Sequence, residues 1–327
     1  MLLYSIMKLN LKDWKILYEL DKDARRSDVQ IGKKVGLSRE VVSYRIKKLI
    51  KNGIIKNFMT ILNTPLLGLV TFRVHFKFNS LTKDREIEIQ EALLKGAFWL
   101  VKVRGHWDFN TMFQTKDLYK FKEFIDKFKL KFGDYLEDYK IDIITKIHHF
   151  RRSYLLMEAN PFTEDVEIWG ELHEKIKLDN LDIKILETIE NNARMNSLEI
   201  AKICDTTERI VRYRLKRLIH KKIIIGFRSS LDINKLGHIY VKVQLKLNNM
   251  SKELYEKLYQ YMKLHKYVVY VTESIGGPDY EFEFQIKDTK KLYELINDLR
   301  NLFEKNIVEW DWVEYIEESK LSYLYEV

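Results

Sequence analysis

Near its beginning the chain places apolar residues at a helical spacing. Asn10 precedes a run in which Trp14 and Leu17 share one face of a helix. Asp13 stands three positions after Asn10, which is the spacing of a capping box. The pattern predicts a first helix that runs to about Leu20.

Two further helices are predicted directly after it. Ser27 with Gln30 three residues later repeats the capping pattern, and Gly36 suits the left-handed position that ends a helix. Ser38 is placed to cap a third helix. The buried stripe of that helix is predicted at Val42, Ile46 and Leu49.

This three-helix segment occurs twice. Residues 8–58 and 177–227 align without a gap, and 19 of the 51 aligned positions are identical, where composition alone would give roughly three. Where identity is lost the pattern persists, because Asn196 and Glu199 form the second copy of the capping box. The chain is therefore a tandem duplication.

A second kind of pattern follows each copy. From Val70 apolar residues alternate with polar ones, and the same alternation returns near Val241. This period of two predicts half-buried strands, with apolar positions at Phe72, Val74, Phe76 and Phe78 and at Val241, Val243, Leu245 and Leu247. The order that follows in each copy is β-α-β-β-α-β, which predicts an α+β fold with a ferredoxin-like antiparallel sheet and helices on one face.

Positive charge is concentrated in the repeated segments. Residues 8–58 contain 14 Lys/Arg against 6 Asp/Glu, and residues 177–227 contain 11 against 7, hence +8 and +4. The remainder carries −3, since the whole chain carries +9. Basic charge confined to two segments indicates two nucleic-acid contacts, with well-solvated Lys-rich helices as the alternative.

Two helices joined by a short turn form the motif whose second helix enters the major groove of double-stranded DNA. Arg45 and Arg214 lie near the buried stripe, where a structural ion pair is an equal alternative. The two copies differ where Glu208 matches Arg39. The predicted DNA-contacting residues are Arg39, Ser43, Tyr44, Arg45, Lys47, Lys48 and Lys51 in the first copy and Arg209, Arg212, Tyr213, Arg214, Lys216 and Arg217 in the second.

The run "LSREVVSYRIKKLIKNGIIKNF", preceded by "DARRSDVQIGKKVG", resembles the DNA-binding head of the Lrp/AsnC transcriptional regulators, and "TTERIVRYRLKRLIHKKIIIGF" is its second copy. The resemblance implies winged helix-turn-helix heads at residues 8–62 and 177–231, with strands starting at 54–55 and 223–225. It implies effector domains at residues 66–155 and 235–325. Lys222 replaces Gly53, which predicts a differently shaped turn, and Asp205 replaces Gly36.

The turns "VRGHWDF" and "SIGGPDY" resemble the Gly-x-x-Asp signature of the family's effector domain. In the family these domains pair through their sheets, and small molecules, commonly amino acids, bind between subunits near this turn. The resemblance thus implies an effector and self-association through the effector domains. The residues alone favour plain turn geometry, and Pro278 in place of Trp107 argues against equivalent pockets. The implied effector contacts are Gly105, Asp108, Gly276 and Asp279.

Residues 158–174 contain six carboxylates and neither Lys nor Arg, so we predict an acidic, solvated linker over residues 156–176. Its length permits the effector domains to pair within one chain, as a covalent pseudo-dimer, or between chains. Cys204 is the single cysteine, and no run of 18 apolar residues occurs. We therefore expect a cytoplasmic protein without a disulfide framework or a membrane partner.

No cysteine cluster, phosphate-binding glycine loop or nucleophile motif occurs, so neither catalysis nor a cofactor is expected. His148 and His149 would point to opposite faces of a strand and cannot easily ligate one metal. One enzyme alternative remains, because sirohaem decarboxylases resemble Lrp/AsnC proteins in fold and need histidines and arginines around a haem-sized pocket. The basic third helices favour the regulator. The local candidates for the enzyme are His75, His106, His148, His149, Arg151 and Arg152.

Overall fold

The computed structural model describes residues 9–156, 166–170 and 175–324. The described helices are α1 Leu11–Lys22, α2 Asp28–Val35, α3 Arg39–Lys51, α4 Lys83–Leu94, α5 Leu118–Phe132, α6 Asn180–Ile189, α7 Ser197–Ile203, α8 Glu208–His220, α9 Lys252–Leu264 and α10 Thr289–Phe303. The described strands are β1 Ile55–Leu62, β2 Val70–Phe78, β3 Trp99–Gly105, β4 Phe109–Thr115, β5 Leu136–His149, β6 Glu167–Trp169, β7 Ile224–Leu231, β8 Ile239–Leu247, β9 Val268–Ile275, β10 Tyr280–Ile286 and β11 Ile307–Leu321.

Each copy begins with the three helices that the sequence predicts. Asn10 caps α1, Ser27 caps α2 and Asn196 caps α7, and all three form complete capping boxes. Ser38 accepts a hydrogen bond from the backbone N–H of Val41 and so caps α3. The predicted helix starts are confirmed because these side chains satisfy amide groups that a helix leaves without partners at its first turn.

The glycine replacements in the second copy leave the backbone unchanged. Gly36 and Gly53 both have φ of 67°, while Asp205 has φ of 52° and Lys222 has φ of 60°. The prediction of a differently shaped turn at Lys222 is therefore wrong. A side chain in the left-handed region costs roughly 1–2 kcal/mol, so the surrounding fold holds this turn in place against local preference.

The two heads share one β-ribbon. β1 leads out of the first head and pairs antiparallel with β7, which leads out of the second. Leu231 packs in the core of the first head, and Leu62 packs in the core of the second. Each head therefore completes its core with the connecting strand of the other copy.

Reciprocal contacts between the heads follow the repeat. Arg25 donates to the carbonyl oxygen of Ala193 at 2.5 Å, and Arg194 donates to the carbonyl oxygen of Ala24 at 2.7 Å. Arg25 also lies over the Phe227 ring, 5.4 Å from its centroid. These identical residues of the two copies meet around a pseudo-twofold relation, which fixes the orientation of the heads.

Eight of the nine remaining described strands form a closed ring. Their order is β2-β4-β3-β11-β8-β10-β9-β5, and β5 also pairs with β2. Each copy contributes four antiparallel strands in the predicted β-α-β-β-α-β order. The copies join where β3 pairs with β11 and where β5 pairs with β9. The two ferredoxin-like domains thus pair within one chain.

Both faces of β2 and β8 are buried along most of their length, not one face as the alternation predicts. Phe72 and Val74 of β2 pack under the helices α4 and α5, and Val241 and Val243 of β8 pack under α9 and α10. The intervening polar residues face the interior of the barrel, where Arg73 is 1% exposed. The prediction fails because the second copy covers the face that a single sheet would expose to water.

The linker prediction is partly wrong. Residues 167–169 form β6, which pairs with the end of β5, and Trp169 is buried. Glu167 pairs with Arg151 at 2.5 Å instead of being solvated. Pro161 lies outside the described residues. Within the described ranges no helix has the length and hydrophobicity needed to cross a membrane.

Candidate functional sites

The first head exposes a basic and aromatic face on α3. Val42 and Leu49 are buried against the head, which turns the opposite side of the helix outward. Tyr44 is 66% exposed on that side. The four cations of α3 that are exposed and make no ion pair with described residues are Arg39, Lys47, Lys48 and Lys51.

Arg45 has a structural partner. Its Nη1 donates to Oδ1 of Asp13 at 2.7 Å, which ties α3 to the first turn of α1. Ser43, another predicted contact, is half-buried beside it. The structure therefore supports the ion-pair alternative for Arg45, and its contact with DNA stays a prediction.

The second head presents the same face with fewer free cations. Tyr213 is 64% exposed on α8, and Arg209 and Lys216 are exposed beside it. Arg212 donates to Oε1 of Glu208 at 2.5 Å along the same helix face. The replacement of Arg39 by Glu208 thus also neutralises a neighbouring arginine.

Two other arginines of α8 are held by carboxylates of their own head. Arg214 donates to Asp182 at 3.1 Å and also to Asp179. Arg217 donates to Asp182 as well. The hydrogen bond from Arg214 lowers the pKa of Asp179. Of the predicted second-head cations, these pairs leave Arg209 and Lys216 free, so the first head has the stronger unpaired charge.

The two turns that contain Gly105 and Gly276 meet the opposite copy. A Cβ on Gly105, where φ is 140°, would lie 2.7 Å from the carbonyl oxygen of Trp312. Asp108 accepts a hydrogen bond from the backbone N–H of Phe78 at 2.8 Å, and Asp279 accepts one from Leu247 at 2.6 Å. Both aspartates therefore brace the strand that begins their own domain.

Residues of both turns line one cavity of about 220 Å³. His106 and Trp107 come from the first turn and Pro278 from the second, with Lys140 and Trp310 between them. Gly276 has φ of 93°, a conformation that favours glycine. Effector contact at Gly105, Asp108, Gly276 and Asp279 stays a prediction.

An ion network fills one part of the barrel interior. Arg73 and Lys242, which occupy equivalent positions of the two copies, both pair with Glu281. Lys242 also lies 3.2 Å from Glu283. Burial and the charge of Arg73 lower the pKa of Lys242 to about 7. The network places opposite charges from two copies in contact inside one fold.

His75 belongs to the same network. Its Nδ1 lies 2.8 Å from Oδ1 of Asn110, and its Nε2 lies 3.2 Å from Oδ2 of Asp142. Burial lowers the pKa of His75. Ligand atoms of His75, Asp142 and Glu281 lie within 4.8 Å of one another, which is close enough for a metal ion. Arg73 and Lys242 already neutralise Glu281, so the geometry fits an ion network better.

A second buried network joins the first head to the barrel. Nη2 of Arg228 donates to both carboxylate oxygens of Asp21, at 2.8 and 2.9 Å, and Arg152 also pairs with Asp21. Burial alone would raise the pKa of Asp21, but the guanidinium groups of Arg228 and Arg152 lower it to about 2. α1, the segment after β5 and β7 therefore meet at one carboxylate.

A cavity of about 150 Å³ lies between the two networks, inside the barrel at the end that faces the heads. Of the six residues considered for a haem-sized pocket, His149 and Arg152 line this cavity. The others lie elsewhere: His75 is in the ion network, His106 is in the turn, His148 bonds Glu273 at 2.8 Å, and Arg151 pairs with Glu167. His148 and His149 have different surroundings, as the strand geometry predicts.

The sequence interpretation missed Asp21, Arg228, Glu281 and Glu283. A signal for the last two was available, because Glu281 and Glu283 alternate with the apolar residues Phe282 and Phe284 along β10. Such an alternation indicates that the charged face of the strand contacts either water or a second polar surface. No comparable pattern marks Asp21, whose partners are 131 and 207 residues away along the chain.

Comparisons with known proteins agree with the two heads. Residues 9–56 match a family described as winged helix-turn-helix DNA-binding, and residues 178–219 match the AsnC-type helix-turn-helix domain. The HTH-type transcriptional regulator Ptr1 of Methanocaldococcus jannaschii is 32% identical over 135 residues, covering 37% of this chain and 85% of the relative. The proline dehydrogenase transcriptional activator of Rhizobium radiobacter is 28% identical over 127 residues, covering 38% and 81%.

A solved structure resembles both copies together. The siroheme decarboxylase NirDL matches with a TM-score of 0.62 and 14% identity, covering 96% of this chain and 93% of that chain. At this identity the likeness shows the fold alone. The duplicated head-and-barrel architecture therefore occurs in another protein, while the sequence similarity of this chain is to transcriptional regulators.

Proposed function

The chain belongs to the Lrp/AsnC family of transcriptional regulators, and on this premise we propose that one chain acts as a covalent pseudo-dimer that binds two unlike half-sites of double-stranded DNA. Its helix-turn-helix heads and its relatives make it a DNA-binding regulator. The observation that carries the proposal is the pair of exposed faces on α3 and α8, held by one shared ribbon. We also propose a cytoplasmic location.

The half-sites are expected to differ because the heads differ where a recognition helix reads bases. Arg39 of α3 is matched by Glu208 of α8, and Ser43 is matched by Arg212. Arginine donates to guanine, whereas glutamate accepts from cytosine. Symmetric dimers read palindromes because identical heads meet identical bases. We therefore expect a skewed site.

The remaining predicted residues have separate roles in this proposal. Tyr44 and Tyr213 are placed for base edges or thymine methyl groups, and Lys47 and Lys216 are placed for phosphates. The exposed face of α3 carries three lysines, Lys47, Lys48 and Lys51, whereas the exposed face of α8 carries one, Lys216. The first head is therefore expected to provide most of the non-specific affinity.

Selection of duplexes from random DNA tests the proposal. The full chain should enrich a motif with two unlike halves whose centres lie about one or two helical turns apart. A perfect palindrome would contradict the assignment of Arg39, Glu208, Ser43 and Arg212 to base positions. As a matched control, Glu208→Arg makes the second helix resemble the first at this position, and the selected site should become more symmetric.

The minimum unit is one chain in this proposal, because strand pairs between the copies satisfy the sheet edges internally. Sedimentation of the purified chain measures this directly. A monomer at low concentration is expected. A smallest stable species of two chains exchanging strands would contradict intramolecular pairing. Self-association of whole pseudo-dimers through the effector domains is a further step of the proposal.

Effector regulation is the finer part of the proposal. The cavity at the two turns, lined by His106, Trp107 and Pro278, is where the family resemblance places a small molecule such as an amino acid. A footprint on DNA upstream of the protein's own gene, with and without pooled amino acids, tests it. An unchanged footprint in every pool would contradict amino-acid regulation at this site.

A sirohaem decarboxylase is the second candidate function, favoured by the fold match to NirDL over both copies. His149 and Arg152 line the interior cavity, but the other four candidate residues, His75, His106, His148 and Arg151, do not line it. Addition of sirohaem to the purified chain should therefore leave its Soret band unshifted, and a shift would favour the enzyme.

A further inference from the structure

The interior cavity has polar walls whose hydrogen-bonding atoms lack partners. Thr71 of β2 and Thr272 of β9 are each 1% exposed, and their hydroxyl groups make no hydrogen bond to described residues. Both ring nitrogens of His149 also lack a partner, although this side chain is 4% exposed. Buried polar atoms are normally satisfied, so their concentration around one cavity points to an occupant.

Gln285 identifies the kind of group that the walls would accept. Its Oε1 accepts from Nε of Arg152 at 3.0 Å and from the hydroxyl of Tyr154 at 2.6 Å, which fixes the orientation of the amide. Its Nε2 is left without a partner in a fully buried position. The free atom is a donor, so the complementary group on the occupant is an acceptor.

The charges nearby have the matching sign. Three buried guanidinium groups, those of Arg151, Arg152 and Arg228, face two carboxylates, those of Asp21 and Glu167. This group contains one cation more than it contains carboxylates, and its member that lines the cavity is Arg152. Burial and the charge of Arg228 hold the pKa of His149 well below its usual range, so His149 adds no charge. A buried excess charge is costly unless an anion compensates it.

The opposite wall is aromatic. It is lined by Trp99, Tyr240 and Tyr315, and the ring centroids of Tyr240 and Tyr315 lie 4.5 Å apart. Both tyrosine hydroxyl groups donate to Glu283, which also pairs with Lys242. The carboxylate of Glu283 is thus already engaged by two hydroxyl groups and by the ammonium group of Lys242.

We propose that this cavity is a binding site for a small monocarboxylic acid with an apolar or aromatic body and no amino group. Its carboxylate contacts Gln285, His149 and the two threonines, and its body lies against the aromatic wall. An apolar cavity of the same volume holds benzene, so the volume of about 150 Å³ suits a molecule with one six-membered ring. This inference deepens the effector part of the proposed function at a location separate from the turns.

The occupant would also touch the ribbon that carries the heads. Met59 of β1 and Ser230 of β7 line the same cavity. The two strands pair with each other between the heads and the barrel. The site is therefore placed to sense or alter the position of the heads.

Calorimetric titration of the full chain without DNA tests the inference, with phenylacetate and benzoate as probes. We expect saturable binding of these acids. Phenylalanine should bind at least tenfold more weakly than phenylacetate, and benzylamine should not bind. Equal binding of the acid, its amide and the amine, or no binding of either acid at millimolar concentration, would overturn the proposal. DNA binding is measured separately, so failure here leaves the half-site proposal intact.

Two substitutions locate the site. Thr71→Val and Thr272→Val remove hydroxyl groups that have no partner, so the thermal midpoint should stay the same or rise. Each substitution should weaken the binding of phenylacetate by about tenfold, which is the effect expected from the loss of a hydrogen bond to a charged group. Thr145→Val is the matched control, because its hydroxyl bonds the carbonyl oxygen of Glu273 outside the cavity. Unchanged phenylacetate affinity in both cavity variants would overturn the assignment.

Discussion

Replacement of Asp21 by Asn tests the network that joins the first head to the barrel. The substitution leaves Arg152 and Arg228 buried without their anionic partner. Removing one partner of a buried ion pair costs about 3–5 kcal/mol. We expect a loss of this size in the free energy of unfolding at pH 7, measured by denaturant unfolding of Asp21→Asn.

The same loss should depend on pH in a defined direction. The pKa of Asp21 falls from 3.8 to about 2 on folding, which corresponds to about 2 kcal/mol of stability from ionisation. Because the pKa is lowered, this contribution is present above pH 4 and disappears as the pH falls toward 2. The difference between wild type and variant should therefore shrink by about 2 kcal/mol over that window.

Glu190 is the matched control because it occupies the equivalent position of the second copy. Ser322 and the backbone N–H of Leu324 bond its carboxylate at 3.0 and 3.1 Å, and burial raises its pKa. Ionisation of Glu190 thus opposes folding as the pH rises through its raised pKa, so Glu190→Gln should change stability at pH 7 by less than about 1 kcal/mol. Equal effects of the two substitutions, or a loss in Asp21→Asn that is constant with pH, would refute the reasoning.

Three further predictions concern DNA. Lys47→Ala and Lys216→Ala in the full chain should each reduce the slope of log affinity against log salt by about one unit; unchanged slopes would place both residues off the phosphates. Tyr44→Ala should lower the affinity for the selected duplex more than the affinity for random duplex, as measured by fluorescence anisotropy. An equal loss of affinity for both would exclude a base contact. Glu208→Ala frees Arg212 from its ion pair, so affinity for random duplex should rise severalfold, which a mobility-shift titration measures.

The local parts of the fold are predictable because their causes are local. Asn10, Ser27 and Ser38 begin helices through bonds to amides three residues away, and such spacings are visible in the sequence. Strands β2 and β8 follow equally from the alternation of apolar and polar residues in the sequence. The exposed cations Arg39 and Lys47 lie on the predicted face of α3 for the same reason.

Features that depend on the second copy were not predictable from one copy. The polar sides of β2 and β8 were expected at a surface, yet Arg73 and Lys242 meet inside the closed ring. Asp205 and Lys222 keep left-handed turns against their own preference because the rest of the head holds them. In both cases tertiary contacts override a correct local rule.

The central claim is that one chain binds one asymmetric site through both heads. Titration of a selected duplex into the full chain, followed by sedimentation at physiological salt, measures the stoichiometry and the preference over a scrambled duplex together. We predict one chain per duplex and a preference of at least about 10³. Two chains on each duplex, or equal affinity for the scrambled sequence, would contradict the claim.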